Sequence, residues 1–375
     1  MFTEVKWKRL VGQERVRDVL SNALSNDQLG HAYLFCGERG CGKFTAALEF
    51  AMALLCFDPS GKPCYQCDSC RRVLKYSHPD LHLVMPVALP KECKSDNKLT
   101  DKGWDFISQK AKERIENTYL LEEFSSVPEI PVDWIREMNQ SVTRGAMEGG
   151  YNIVIMDGVE LMRKEAANAM LKTLEEPPER TVMIVITEKI NAVLPTIVSR
   201  CQVIRFAYQT PELLRSELAA KLSVNISDPS LDTLIHAGSY GKALALNENR
   251  PDEALKSAAQ FWRACTTLDM DKVIEQIDSF PVKGSMGIYE NFFIYLLQLI
   301  HFAFLGRYAD TENYFKVVNP SYRIELPSDV SLRRVEMIIN SCQESLDALR
   351  IRGNSTLVLI EFAFSLMEIL NDEKQ

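Results

Sequence analysis

The sequence predicts an α/β domain built on a parallel sheet with a phosphate-binding loop, then a small helical lid and an all-α C-terminal block. Three observations predict it. Residues 31–35 (His-Ala-Tyr-Leu-Phe) form a short apolar run, residues 37–43 a glycine-rich loop ending in Lys43, and residues 45–56 a helical pattern. That strand, loop and helix order is what a phosphate loop requires. Two more apolar runs, 151–156 and 181–187, end at the polar side chains Asp157 and Thr187, as buried strands bounded by polar residues do. From Gln209 onward the pattern is helical with short breaks.

A chain of 375 residues is too long for one core. The expected division is 1–207 for the α/β domain, 208–248 for the lid and 249–375 for the helical block. The net charge of −8 excludes nucleic-acid binding driven by bulk positive charge. Residues 1–10 carry charges throughout, against a secretory signal. The most apolar stretch, 292–305, contains Gln298 and His301 and is too short to span a bilayer. A cytoplasmic chain with no membrane partner is expected, and clustered cysteines in that setting favour metal over disulfides.

Each element has a local reason. Residues 11–13 (Val-Gly-Gln) precede a helical pattern running to about Ser25. In the loop, glycines let backbone N–H groups curl around phosphates, a lysine reaches the outer phosphates and the next residue supplies a hydroxyl to Mg²⁺. Gly37, Gly42 and Lys43 are in register, with Gly40 between them, but the hydroxyl position holds Phe44. Thr45 comes one residue late, which on a helix is a turn of about 100°. Lys43 leaves binding of ATP or ADP open, and the lost hydroxyl argues against Mg²⁺.

Cys64, Cys67 and Cys70 follow a C-x2-C-x2-C spacing, with Cys56 eight residues upstream. Four thiolates at these spacings can close a tetrahedron around a structural Zn²⁺, making a knuckle over 56–70. The other reading is a set of free or redox thiols. Cys36, Cys41, Cys93, Cys201, Cys265 and Cys342 lack the spacing and read as small apolar residues. Residues 91–119 are charged and weakly patterned, like an inserted, solvated segment with one helix near 104–117. Pro131, Asp133 and the apolar residues around them signal a helix start.

Residues 151–157 resemble a Walker B strand, whose Asp orients Mg²⁺; the residue after Asp157 is Gly158. A core strand capped by a solvated Asp is the alternative. Residues 168–176 form a helix stopped by Pro177 and Pro178. In the lid, Thr210 caps a helix starting at Pro211, Asp228 and Pro229 start another, and Gly238 ends it. The runs 292–305 and 356–370 are apolar on several faces and need partners on more than one side.

Residues 171–178 (Leu-Lys-Thr-Leu-Glu-Glu-Pro-Pro), followed by Ser199-Arg200-Cys201, resemble the signature of bacterial clamp-loader AAA+ subunits of DNA polymerase III. Residues 11–13, 31–35 and the four-cysteine knuckle fit the same family, over about residues 1–248. Within it the chain is most similar to the delta-prime type, with gamma/tau as nearest competitor. The resemblance implies an AAA+ domain, with Val11, Gly12, Gly37, Gly40, Gly42, Lys43, Phe44, Thr45, Asp157 and Thr187 lining a nucleotide site. It implies that 249–375 is a collar packing subunits into a ring. Gamma/tau motors resemble one another in a Thr after the loop Lys, Asp-Glu at Walker B and a sensor Arg in the lid; here these places hold Phe44, Asp157-Gly158 and Gly241. Weak or absent ATPase activity follows, since a lost water-positioning Glu alone costs about 10²–10⁴ in rate. The adjacent Lys242 lacks the planar fork of Arg. Arg200 is implied to be an arginine finger given in trans to a neighbour's nucleotide; by itself it reads as a surface arginine paired with a carboxylate. The implied partners are gamma/tau and delta subunits in a hetero-pentamer, and through it a sliding clamp and primed DNA.

Overall fold

A computed structural model of the chain describes residues 5–26, 28–59, 61–95, 98–121, 124, 128–148, 150–228, 230–235, 238–248, 251–280, 286–305, 324–327, 330–350 and 354–371. Two compact units form. The first comprises Met1–Glu122, Val127–Leu222 and Ala237–Ala245; the second comprises Glu123–Ser126, Ser223–His236 and Leu246–Gln375.

In chain order the first unit opens with α1 (Glu14–Ser25), β1 (Ala32–Cys36), α2 (Lys43–Leu55), α3 (Asp68–Leu74) and β2 (Leu81–Val84). A two-stranded hairpin follows, β3 (Lys94–Ser95) with β4 (Lys98–Leu99), then α4 (Asp101–Glu116) and α5 (Val132–Thr143). Next come β5 (Asn152–Met156), α6 (Lys164–Glu175), β6 (Thr181–Thr187), α7 (Pro195–Val198), β7 (Gln202–Arg205) and α8 (Pro211–Leu222). The main sheet has five parallel strands in the order β2-β5-β6-β1-β7. Strands β1, β5 and β6 are buried at every position, which is why they read as unbroken apolar runs. Edge strand β7 buries only Ile204 and so carries no such run. Helix α2 is buried along its whole length.

The segment 91–119 differs from the wet insertion expected of it. Thr100 caps α4 by accepting the Gly103 N–H at 3.3 Å, and the helix buries Gly103, Ile107, Ala111 and Ile115. The apolar residues recur every four positions among charges, so one stripe packs while the rest stays solvated. Arg9 reaches across to the carbonyls of Ile115 and Glu116.

The second unit is helical. It contains α9 (Ser230–Ile235), α11 (Pro251–Thr266), α12 (Met270–Ser279), α13 (Met286–Leu305), α14 (Leu332–Arg350) and α15 (Ser355–Asn371); α10 (Tyr240–Glu248) begins in the first unit. The two apolar runs lie in α13 and α15 and find their partners among these helices. Phe261 of α11 stacks on Phe362 of α15 at 5.8 Å and meets Phe292 of α13 edge-on at 5.2 Å, geometries that aromatic pairs favour. Large apolar side chains also stay exposed here: Met337 and Ile339 on α14, Leu357 and Phe364 on α15. Among the described residues no helix is long and apolar enough to cross a membrane.

Candidate functional site

The glycine loop lies between the end of β1 and the start of α2, at the carboxyl end of a parallel sheet, where α/β folds bind ligands. Gly42 stands just before α2 at φ 98°, and no side chain caps that helix start. A helix start of this kind, with its dipole and uncapped N–H groups, suits an anion. An added Cβ at Gly42 would meet Leu10 and the Tyr119 hydroxyl within 2.9 Å. Lys43 is buried, its Nζ donating to the Gly37 and Glu38 carbonyls at 2.8 and 2.7 Å. These contacts hold the ammonium over the loop.

Phe44 is 2% exposed and offers no oxygen. Thr45 is fully buried beside the Tyr119 hydroxyl, so it turns into the core rather than the loop mouth. Asp157, at the end of β5, accepts from Arg114 of α4, Nη2 at 3.1 Å and Nε at 3.3 Å. Arg114 also lies over the Phe44 ring, 4.0 Å from its centroid. Thr187 ends β6 with its hydroxyl accepting the Lys189 N–H at 3.1 Å. Glu160 accepts the Glu188 N–H at 2.9 Å, which directs its carboxylate along the backbone after β6.

Two buried glutamines tie down the segment at Val11 and Gly12: Gln13 of the Val-Gly-Gln motif, and Gln209, which sequence reasoning did not single out. Gln209 donates to the Val11 carbonyl at 2.9 Å and accepts the Tyr240 N–H. Gln13 donates to the carbonyls of loop residue Cys41 and of Ala207, at 3.2 and 2.8 Å. The Tyr119 hydroxyl accepts the Val11 N–H at 2.9 Å. Fully buried Glu49 gathers the N–H groups of Lys8, Arg9 and Leu10 at 2.8–3.1 Å and takes the Tyr65 hydroxyl as well. One carboxylate thereby ties the cysteine loop to the segment leading into Val11.

Beside the loop, Gly241 approaches Gly40 closely, its N–H donating to the Gly40 carbonyl at 2.9 Å. A Cβ on Gly241 would sit 2.8 Å from the Gly40 Cα. No arginine fits at 241 without displacing the loop, and even Gly241→Ala is expected to cost about 1–3 kcal/mol, measured by urea unfolding of the full chain. Lys242 bonds Glu38 at 2.8 Å, and the Tyr208 hydroxyl donates to the same carboxylate at 3.0 Å. Burial opposes ionisation of Glu38, but Lys242 and Tyr208 outweigh it and hold the carboxyl below its ordinary range. A depressed carboxylate stabilises the fold above the unfolded value, about 4.3, and loses that contribution as pH falls through the lower folded value. Glu38→Gln is therefore expected to flatten the acid limb of the melting temperature below about pH 4, as thermal scans at stepped pH would read.

The four predicted cysteines converge. Their sulfurs all lie within 4.8 Å of one another, with Cys56–Cys67 and Cys64–Cys70 both at 3.9 Å. A tetrahedral Zn–S bond of about 2.3 Å puts sulfurs about 3.8 Å apart, so the cluster could hold such an ion. Backbone N–H groups surround it: Cys64 and Gln66 donate at 3.4 Å to Cys56 and Cys64, and Cys67 donates to Cys64 at 3.2 Å. Burial raises the thiols of Cys56 and Cys70. At Cys64 burial is outweighed by the Cys67 and Gln66 N–H groups, which bring it down to about 7. Of the other six cysteines, all but Cys201 are buried.

Arg200 lies elsewhere. It sits in the turn between α7 and β7, where Gln202 pairs with Tyr33 near the start of β1. The phosphate loop follows the other end of β1. With strands rising about 3.3 Å per residue, four residues of β7 put roughly 13 Å between the two ends. The Arg200 side chain is 36% exposed, with Nη2 on Glu175 at 2.7 Å and Nη1 on the Thr196 carbonyl at 2.9 Å.

Residues 12–210 match the family model described as DNA polymerase III, delta subunit. DNA polymerase III subunit delta' of Bacillus subtilis (strain 168) is 32% identical over 257 residues, which are 68% of this chain and 65% of that protein. Subunit gamma/tau of Mycoplasma pneumoniae is 28% identical over 250 residues, 65% of this chain and 31% of that one. The chain thus spans less than two thirds of the length of these relatives. A solved DNA polymerase III gamma subunit-related protein from Thermotoga maritima aligns with 94% of this chain and 99% of its own, at 12% identity and a TM-score of 0.45. With its family match covering more than half of its length and a delta' relative at this identity, the chain belongs to the DNA polymerase III delta-subunit family.

Proposed function

We propose that this chain is a delta-prime-type clamp-loader subunit that acts as a stator. In this reading Arg200 completes the ATP site of a neighbouring gamma/tau subunit, and the helical unit joins a pentameric collar with gamma/tau and delta. The cytoplasmic assembly then opens a sliding clamp onto primed DNA. One observation carries the reading: Arg200 stands at the end of the sheet opposite its own phosphate loop, about 13 Å away along the strands, which puts it out of reach of a nucleotide on that loop and supports a role toward a neighbour. The Glu175 pair would hold it until a neighbour docks. Phe44, the Asp157–Arg114 pair and the close Gly40–Gly241 approach add support, since each removes a part that hydrolysis at home would need. Exposed Leu357 and Phe364 are seven apart on α15 and share a face that a collar partner could cover.

In the cysteine knuckle a zinc ion would be bound by Cys56, Cys64, Cys67 and Cys70. Its role is structural, because four protein ligands leave no open position. The test of the assembly is reconstitution from purified parts. Gamma/tau, delta and this chain are expected to form one complex that loads a clamp onto primed DNA, and leaving out this chain is expected to abolish loading. Failure of this chain to associate with either subunit would remove the proposal and favour a metal-stabilised adaptor outside replication.

A further inference from the structure

A phosphate loop normally shares its nucleotide with Mg²⁺, held between the hydroxyl after the lysine and an Asp that ends another strand of the sheet. In this chain those two positions are bridged by a side chain. Arg114 lies 4.0 Å from the centre of the Phe44 ring and donates twice to Asp157 Oδ2, at 3.1 and 3.3 Å. Its third contact, to the Thr118 carbonyl at 2.6 Å, fixes the guanidinium at the end of its own helix. The Arg114 side chain is 14% exposed and that of Asp157 21%. Mg²⁺ requires near-octahedral oxygen ligation; Phe44 supplies none, and an Asp157 oxygen already serves a cation. The residues present do not fit the metal.

We infer that Arg114 is the resident cation of this site in place of Mg²⁺, so that the loop takes the phosphates of a metal-free nucleoside diphosphate or triphosphate. Lys43 and the α2 N-terminus meet the outer phosphates, and Arg114 supplies the positive charge that a hydrated metal brings elsewhere. Tethering that charge to the Asp157 carboxylate and the Phe44 ring also fixes it on one side of the loop mouth. The nucleotide then acts as a structural ligand of the first unit, with no water-activating metal beside it. The inference concerns the loop alone and stands apart from the role of Arg200.

Isothermal titration of the full chain with ADP, in EDTA and in Mg²⁺, tests it. The wild-type affinity is expected to agree within about twofold between the two buffers, and Arg114→Ala is expected to weaken ADP about tenfold in EDTA, a loss of about 1.4 kcal/mol. The double substitution Phe44→Thr with Arg114→Ala restores a hydroxyl and removes the guanidinium. It is expected to bind ADP about tenfold tighter with Mg²⁺ than without, which also demonstrates that the loop survives loss of Arg114. A wild-type affinity that rises about tenfold or more with Mg²⁺ would overturn the inference. So would an Arg114→Ala chain that binds ADP as the wild type does, or a wild-type chain with no ADP affinity in either buffer. None of these results touches the stator reading, which is decided at the neighbour's site.

Discussion

Arg200→Ala is expected to lower ATP turnover at the neighbouring subunit's site by about 10³-fold or more in the reconstituted, DNA-stimulated complex. That corresponds to about 4 kcal/mol of lost barrier stabilisation. The physical reason is local. A guanidinium beside the γ-phosphate meets charge that develops in the transition state, in a site closed to water where such an interaction is strong. In the free chain Arg200 spends its donors on Glu175 and the Thr196 carbonyl, and the proposed docking would exchange that weak surface pair for a stronger contact. Arg200→Lys is expected to recover little of the loss, because an ammonium cannot present the same planar fork. The effect is confined to the neighbour: complex assembly, read by gel filtration, stays at wild-type level, which separates a missing finger from a missing subunit. Unchanged turnover would remove Arg200 from the chemistry.

The second large effect concerns the cysteine knuckle. Freshly purified, reduced protein is expected to carry about one equivalent of zinc, and stripping the ion is expected to remove on the order of 10 kcal/mol of local folding energy. The consequence should spread beyond the knuckle. Tyr65, lying between Cys64 and Cys67, donates to Glu49, and Glu49 fixes the N–H groups of residues 8–10 that lead into Val11 and Gly12. Chelation or Cys64→Ser should therefore lower the melting temperature of the first unit and open amide exchange at both places, residues 56–70 and residues 8–12. Elemental analysis without metal, or amide exchange unchanged after chelation, would dispose of the structural zinc.

The legible parts of this chain are those where one physical demand acts alone. A strand buried on both faces must be apolar throughout, so β1, β5 and β6 announce themselves, and two-residue gaps announce the cysteine cluster. Helices α13 and α15 are apolar on several sides because they meet partners on several sides. The parts that stayed hidden serve two demands at once. Edge strand β7 is mostly exposed, and β2 is only four residues long, so neither carries a run long enough to read. Helix α4 hides its buried stripe of Ile107, Ala111 and Ile115 among charges. Arg114 lies seven residues after Ile107, on that same face, and the spacing was the one signal that it points inward. Gln13, Glu49 and Gln209 are polar side chains that satisfy buried backbone groups far away in sequence. No local pattern encodes such a partner, because the need for it arises only when the chain has folded.

The most direct measurement of the central claim is steady-state ATP turnover by the purified chain with no other subunit present. With Phe44 at the hydroxyl position, Asp157 held by Arg114 and no room for an arginine at 241, turnover is expected to stay at background and to be unchanged by Lys43→Ala. Brisk hydrolysis that Lys43→Ala abolishes would contradict the account and make the chain a motor in its own right.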